Sequence, residues 1–141
     1  MRILSLLLLT FFIGTSCSSQ KKADMKGTEI EYSAVSRGIY KVIVVQNKMV
    51  SITNGRNVQP VESKIDDLKW KQIVAQFSKI NLKTIPDLKG PTQKRFHDGA
   101  ALGNLKVTQN QKIYETQGFD DGYPPKEIEN LVNLLLDFTK K

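Results

Sequence analysis

The sequence predicts an α+β domain in which two helices cover one face of an antiparallel sheet. Three observations predict it: alternating apolar and polar residues over 28–36, β-branched runs beside short polar turns, and apolar residues at helical spacing in two later segments. The chain has 141 residues, 40% of them hydrophobic, which is enough for one domain with its own core. The expected element order is ββ(β)αββα, with four to five strands in two hairpins.

The first strand is predicted over residues 28–36. Ile30, Tyr32 and Ala34 alternate there with more polar residues, so one face of the strand should be buried and the other exposed. Residues 39–45 are apolar and β-branched with little alternation, which predicts a central strand buried on both faces.

A partner strand and an edge strand are expected next. The polar residues 46–48 predict a turn that returns the chain as a strand over 49–53. After the Asn-Gly turn at 54–57, residues 58–62 can add a strand. Pro60 restricts that strand to the sheet edge, because proline has no N–H for a central ladder.

The first helix is predicted from a start signal at residues 63–66. Residues 63–66 resemble a capping box with Asp in place of Glu, and Asn81 is the expected C-terminal cap. The segment 81–99 is predicted to be a loop because it is rich in proline and glycine. The expected apolar face of the helix consists of Leu68, Trp70, Ile73, Val74, Phe77 and Ile80.

The second half of the chain predicts another hairpin and a closing helix. Residues 100–108 and 112–117 flank the polar turn 109–111, and the segment 119–125 interrupts the pattern again. Pro125 suits the first turn of a helix. The expected apolar face of that helix consists of Ile128, Leu131, Val132, Leu135, Leu136 and Phe138.

The N-terminus has the order of a secretory signal peptide over residues 1–16. Arg2 provides a positive charge, an apolar run follows over 3–13, and small residues precede Cys17, the only cysteine in the chain. The apolar run is shorter than the roughly 20 residues that a membrane-spanning helix needs. Residues 17–27 are expected to be a modified cysteine and a flexible tether, and residues 28–141 the single domain.

The stretch Gly14-Thr15-Ser16-Cys17 resembles the lipobox of bacterial lipoproteins, although Leu is missing from position 14. This resemblance implies cleavage before Cys17, a diacylglyceryl group on its sulfur, and a fatty acyl chain such as palmitate on the new amino terminus. Two alternatives stay open: an ordinary signal peptide with an accidental cysteine, and a short anchor helix. Several acyl chains would hold the protein stably at a membrane.

The residues after Cys17 bear on location. By resemblance to lipoprotein sorting rules, Ser18 in place of Asp favours the outer membrane over the inner one. Lipoproteins exported to the surface of Bacteroidota carry acidic residues shortly after the cysteine, whereas this chain has Gln20, Lys21 and Lys22. The expected location is therefore the periplasmic face of the outer membrane.

Three longer segments carry a second resemblance: SRGIYKVIVV at 36–45, LKWKQIVAQFSKINL at 68–82 and DDGYPPKEIENLVN at 120–133. Together with the lipobox, their layout is similar to that of small Bacteroidota lipoproteins of unknown function, in which a hairpin, a helix, a second hairpin and a closing helix follow one another. The resemblance implies that layout and an exported location, and it implies no activity.

The charge of the chain favours no nucleic-acid partner. The formal net charge is +7, but the lysines are scattered and form no arginine-rich stripe. The only cluster is Lys21, Lys22 and Lys26, which falls in the expected tether. General surface charge is the better interpretation.

Two similar loops are the candidate functional site. One holds His97 and Asp98, the other holds Asp120 and Asp121 with Tyr123 close behind, and each places an acidic residue before glycine. If the loops lie side by side, these residues could bind a ligand or a metal ion. The competing interpretation is structural: Asp-Gly is a common turn pair, and an aspartate can favour the start of the last helix.

The sequence favours a non-enzymatic module without a cofactor or a resident metal. His97 is the only histidine, and no Gly-x-Ser-x-Gly, phosphate-binding or His-Glu-x-x-His motif is present. The leading hypothesis is a lipid-anchored binding module of the cell envelope with a protein or peptide partner. The alternative is a small periplasmic hydrolase or metal-dependent enzyme that uses the loops 94–99 and 119–123.

Overall fold

One antiparallel sheet forms the body of the protein. A computed structural model describes residues 25–140, so the expected signal peptide, Cys17 and the first part of the expected tether lie outside the described residues. The strands are β1 (Thr28–Val35), β2 (Tyr40–Gln46), β3 (Met49–Asn54), β4 (Val61–Lys64), β5 (Leu102–Gln109), β6 (Lys112–Glu115) and β7 (Phe119–Asp120); the helices are α1 (Asp67–Phe77) and α2 (Glu129–Leu136).

The α+β class and the order of hairpins and helices are confirmed. Six strands lie in the order β4-β3-β2-β1-β5-β6, and β7 pairs with the first residues of β5. The seven strands are more than the four to five expected from the sequence, and one of the additional strands, β7, is only two residues long and carries no pattern of its own. The long β1 is central, paired along its whole length with β5 and for most of it with β2.

The helices cover one face of the sheet. In the register of the strands, Tyr32 lies between Ile43 and Leu105, and all three side chains are fully buried. Ile73 of α1 and Leu131 of α2 belong to the same apolar core. Burying apolar side chains contributes about 1.5–3 kcal/mol each, so this face holds the two layers together.

The core of the described residues begins before the first strand. Met25 is 5% exposed and packs into the core, so the packed region includes part of the segment that was expected to be a tether. In the described residues, no helix is long and apolar enough to cross a bilayer.

The prediction that the second strand is buried on both faces is wrong. Ile43 and Val45 are fully buried against the helices, whereas Val42 and Val44 are only half-buried on the opposite face. No helix of the described residues packs over that second face. We call it the open face, defined by the residues that alternate with the buried ones in β1, β2 and β5.

The ends of α1 differ from the expected caps. Ser63 lies in β4, and the N-cap is Asp66, whose carboxylate accepts a hydrogen bond from the Lys69 amide at 2.9 Å. The helix ends at Phe77, so Asn81 caps something else. Its side chain accepts from the Lys83 amide at 3.1 Å and starts a 3-10 helix within the segment predicted to be a loop.

Three further expectations need correction. The edge strand covers 61–64 instead of 58–62, so that Pro60 precedes it. Leu68, expected on the buried face of α1, is 70% exposed. Pro125 lies in a turn before α2 instead of in its first turn, and its carbonyl accepts a hydrogen bond from the Ile128 amide at 3.1 Å.

Gly103 allows β5 to pack against the buried ring of Phe119. A methyl group on its Cα would lie 2.9 Å from Cε2 of that ring and 3.3 Å from the Phe119 carbonyl oxygen. Because Phe119 is fully buried, its ring cannot move away without disturbing the core. We therefore expect Gly103→Ala to lower the free energy of unfolding by about 2 kcal/mol, measured by urea denaturation.

Gly38 is the matched control for this substitution. A methyl group there would meet no atom within 4 Å, so Gly38→Ala should leave stability unchanged or raise it slightly. Equal stability of the two variants would contradict the packing of Phe119 described above.

Candidate functional site

The two loops singled out in the sequence meet at the carboxylate of Asp120. This side chain is fully buried, and both of its oxygens accept hydrogen bonds from the first loop. Oδ2 accepts from the Thr92 hydroxyl and the Lys94 amide, each at 2.5 Å. Oδ1 accepts from the Arg95 amide and from Arg95 Nη1, each at 3.0 Å. Asp120 is therefore the anchor that holds residues 92–95 against the sheet.

The anchor also satisfies the start of a short 3-10 helix over Lys94–His97. The first amides of such a turn have no partner within it, and Asp120 accepts two of them. The expectation that Asp120 or Asp121 meets the start of the last helix is thus wrong, because the helix start that Asp120 meets lies in the other loop. The Arg95 guanidinium adds a second contact, to the Thr92 carbonyl at 3.2 Å.

The environment keeps Asp120 ionised. Burial on its own raises the pKa of this carboxyl, since it disfavours the charged form. The hydrogen bonds from Thr92, Arg95 and the Lys94 amide outweigh that effect and hold the pKa of Asp120 well below its usual range. A buried carboxylate with this many donors is a stable structural charge.

Asp121 follows β7 in a turn, and its carboxylate contacts other residues than the anchor does. It accepts a hydrogen bond from the Tyr32 hydroxyl and lies 3.8 Å from the Lys41 ammonium group. Burial raises the pKa of Tyr32, and the hydrogen bond and negative charge of Asp121 raise it further. Tyr32 therefore stays protonated and donates to Asp121, which joins the second loop to the covered face of the sheet.

Of the remaining predicted site residues, Tyr123 lies beside Asp120, because its amide donates a hydrogen bond to the Asp120 carbonyl at 2.8 Å. His97 and Asp98 are exposed at the end of the first loop, and Asp98 adopts a left-handed φ of 54°. Tyr123 is 43% exposed. Within residues 25–140, no group of three or more histidine, cysteine, aspartate or glutamate side chains could hold a metal ion. The geometry thus provides no observation in favour of the enzyme alternative.

Exposed aromatic rings with cations beside them are a second feature of the two loops, and the sequence had pointed to Tyr123 and to Arg95 beside loop aromatics but not to the Phe96 ring itself. Phe96 is 66% exposed, and the Arg95 guanidinium lies 4.4 Å from the centre of its ring. The Lys94 ammonium group lies 4.0 Å from the centre of the Tyr123 ring. We call Lys94, Arg95, Phe96 and Tyr123 the loop platform. The signal in the sequence was the basic pair directly before Phe96.

Comparisons of the chain with protein-family models, with curated proteins and with solved structures gave no match. Function must therefore be argued from the site itself.

We expect Asp120→Asn to lower the free energy of unfolding by about 3 kcal/mol at pH 7, because the Arg95 guanidinium and two amides lose a buried negative partner. The lowered pKa sets the pH dependence. As the pH falls, Asp120 becomes protonated in the unfolded chain at about pH 4, whereas in the folded protein it stays ionised to lower pH. The stability of the wild-type protein therefore falls as the pH drops below about 4. Urea denaturation should show a smaller difference in the free energy of unfolding between Asp120→Asn and wild type at pH 3 than at pH 7.

Asp98→Asn is the matched control in the same loop. Asp98 is exposed, and asparagine tolerates the left-handed backbone there, so its stability should change by less than about 0.5 kcal/mol. If the two variants were equally stable at pH 7, Asp120 would not be the anchor of the loop.

Proposed function

We propose that the protein is a lipid-anchored, non-enzymatic binding module of the cell envelope, and that the loop platform contacts a protein or peptide partner. One observation carries this proposal. A fully buried carboxylate uses all of its hydrogen bonds to order a loop, and that loop leaves the Phe96 ring 66% exposed.

The energetics of the platform support binding. Ordering a loop costs about 1–2 kcal/mol per residue in backbone entropy, and an exposed ring recovers little of that cost in the free protein. A partner that covers Phe96 and Tyr123 would bury two large aromatic surfaces, the kind of residue that dominates protein interfaces. Because the anchor orders the loop beforehand, binding loses less entropy.

The path of the chain supports a platform that points away from the membrane. Met25, the first core residue of the described part, stands eight positions after Cys17, so lipid on that cysteine would hold Met25 within about 29 Å of the bilayer. At the other end of β1, Val35 pairs with Leu102, which in turn pairs with Asp120. An anchor at Cys17 would therefore attach to the end of the sheet opposite the loop platform, which supports a platform that faces the periplasm.

A photo-reactive amino acid at position 96 tests the platform in the intact cell envelope. We expect a discrete cross-linked species with one partner after irradiation, because position 96 would be covered in the complex. The same amino acid at position 68 is the control, since Leu68 is an equally exposed apolar residue at the start of α1. Mass spectrometry of the purified protein should also show a mature chain that begins at an acylated Cys17.

Equal cross-linking patterns at positions 96 and 68 would contradict the platform as the binding surface. An unmodified Cys17, or a mature chain that starts at another residue, would contradict the anchor and leave the platform to be judged by the cross-linking alone.

A further inference from the structure

We propose that the open face of the sheet is a second docking surface, and that it takes a basic amphipathic helix of a protein partner. This surface shares no residue with the loop platform, although Leu102 at its end pairs with Asp120, and it does not depend on lipid at Cys17. Among the described residues, the helices cover only the other face of the sheet, so a partner helix here would complete a third layer.

Apolar side chains run along and across the open face. On β2, Tyr40, Val42 and Val44 share this face and are half-buried. Beside Tyr40, the register places Val35 and then Leu102, which is 47% exposed. The three side chains of β2 form an apolar row along that strand, and Val35 and Leu102 extend it over β1 and β5 at the Tyr40 end. A helix laid along β2 would bury the row.

A depression beside this row offers a place for a side chain of the partner. It has a volume of about 250 Å³, and Val44 and Met49 line it together with the polar residues Gln46 and Ser51. Glu62 stands at the same depression, so it combines an apolar wall with a carboxylate. A lysine or arginine has an apolar stem and a cationic end, which suits that combination.

The charge of the open face is opposite to that of the whole protein. In the half nearer the β2–β3 turn, the register places more acidic than basic side chains on this face. They are four glutamates, Glu29, Glu31, Glu62 and Glu115, and two lysines, Lys64 and Lys106. Lys106 is already paired with Glu31 at 2.8 Å. This hydrogen bond is the largest cause of the raised pKa of Lys106, and the negative charges of Glu115 and Glu29 raise that pKa further. Acidic side chains thus remain in excess here, whereas the chain carries a net charge of +7.

At the opposite end of this face, the Arg56 guanidinium lies over the Tyr40 ring, 5.5 Å from its centre, and donates a hydrogen bond to the Ser36 carbonyl. The acidic excess is therefore confined to one half. A basic partner would be repelled by most of the protein and attracted to that half, which gives the contact a fixed position.

The edges of the sheet favour a helix over an added strand. The two edge strands β4 and β6 have only four residues each, and both carry charged side chains. Short, charged edges hinder pairing with another strand. The chain's own segment 18–27 is basic but has too few apolar residues to cover the row, and its Met25 already lies in the core. A helix from another protein is the occupant that fits.

The test uses the chain from Ser18 to Lys141, which contains every core residue of the described part, and a labelled synthetic 18-residue peptide of leucine and lysine at amphipathic helical spacing. Fluorescence anisotropy should show saturable binding that weakens as salt is added. A peptide of the same composition with the spacing scrambled, and one with glutamate in place of lysine, should each bind at least tenfold more weakly.

Paired variants locate the contact. Glu29→Gln with Glu62→Gln should weaken binding roughly tenfold, and so should Val42→Thr with Val44→Thr, since threonine keeps the β-branched shape. The control Glu127→Gln with Glu129→Gln removes the same charge from the helix layer and should change affinity less than twofold. Phe96→Ala should bind like wild type. Urea denaturation would confirm that each variant is folded.

The proposal would be overturned if the open-face variants and the Glu127→Gln with Glu129→Gln control lost the same amount of peptide affinity. It would also be overturned if the scrambled peptide bound as tightly as the amphipathic one. Loss of binding in Phe96→Ala alone would assign the peptide to the loop platform and would also overturn it. The outcome of the cross-linking experiment at position 96 does not depend on these results.

Discussion

The hydrogen bonds of the Asp120 carboxylate are the interaction on which the rest of the structure depends. They join the two-residue strand β7 to a loop that is adjacent in space but about 25 positions earlier in the chain. Without a buried acceptor, the amides of Lys94 and Arg95 would be left unsatisfied, at a cost of about 1–3 kcal/mol each. The arrangement therefore constrains both loops at once: one carries the acceptor and the other carries the donors.

The consecutive aspartates have different partners. Asp120 at the end of β7 holds the outer loop, while Asp121 in the following turn holds the hydroxyl of Tyr32 within the covered face. Alternation along the strands creates the open face, since every second residue of β1, β2 and β5 is turned away from the helices. A single register thus positions the loop platform at one end of the sheet and the apolar, partly acidic row across its uncovered side.

Much of the fold could be predicted from local pattern, and the candidate site could be predicted only in part. The alternation of Ile30, Tyr32 and Ala34 identified β1 and its buried face, and polar turns identified both hairpins. The caps of α1 were misplaced because Asn81 suits the start of a 3-10 helix as well as the end of an α-helix. Local sequence cannot separate these roles.

The sequence raised the proximity of the two loops only as a condition, and it did not predict the roles of their residues. Whether Asp120 or Asp121 meets the first loop depends on the pairing of Phe119 with Gly103, a contact between distant positions that no local pattern reveals. The exposure of Phe96 has the same origin, because it follows from the hydrogen bonds at Lys94 and Arg95.

Hydrogen exchange of the Lys94 and Arg95 amides tests the anchor most directly. These amides lie in a connecting segment near the surface, where exchange is ordinarily fast. If both are bound to a buried carboxylate, they should exchange as slowly as amides of β5 and become fast in Asp120→Asn. Fast exchange of both amides in the wild-type protein would contradict the account.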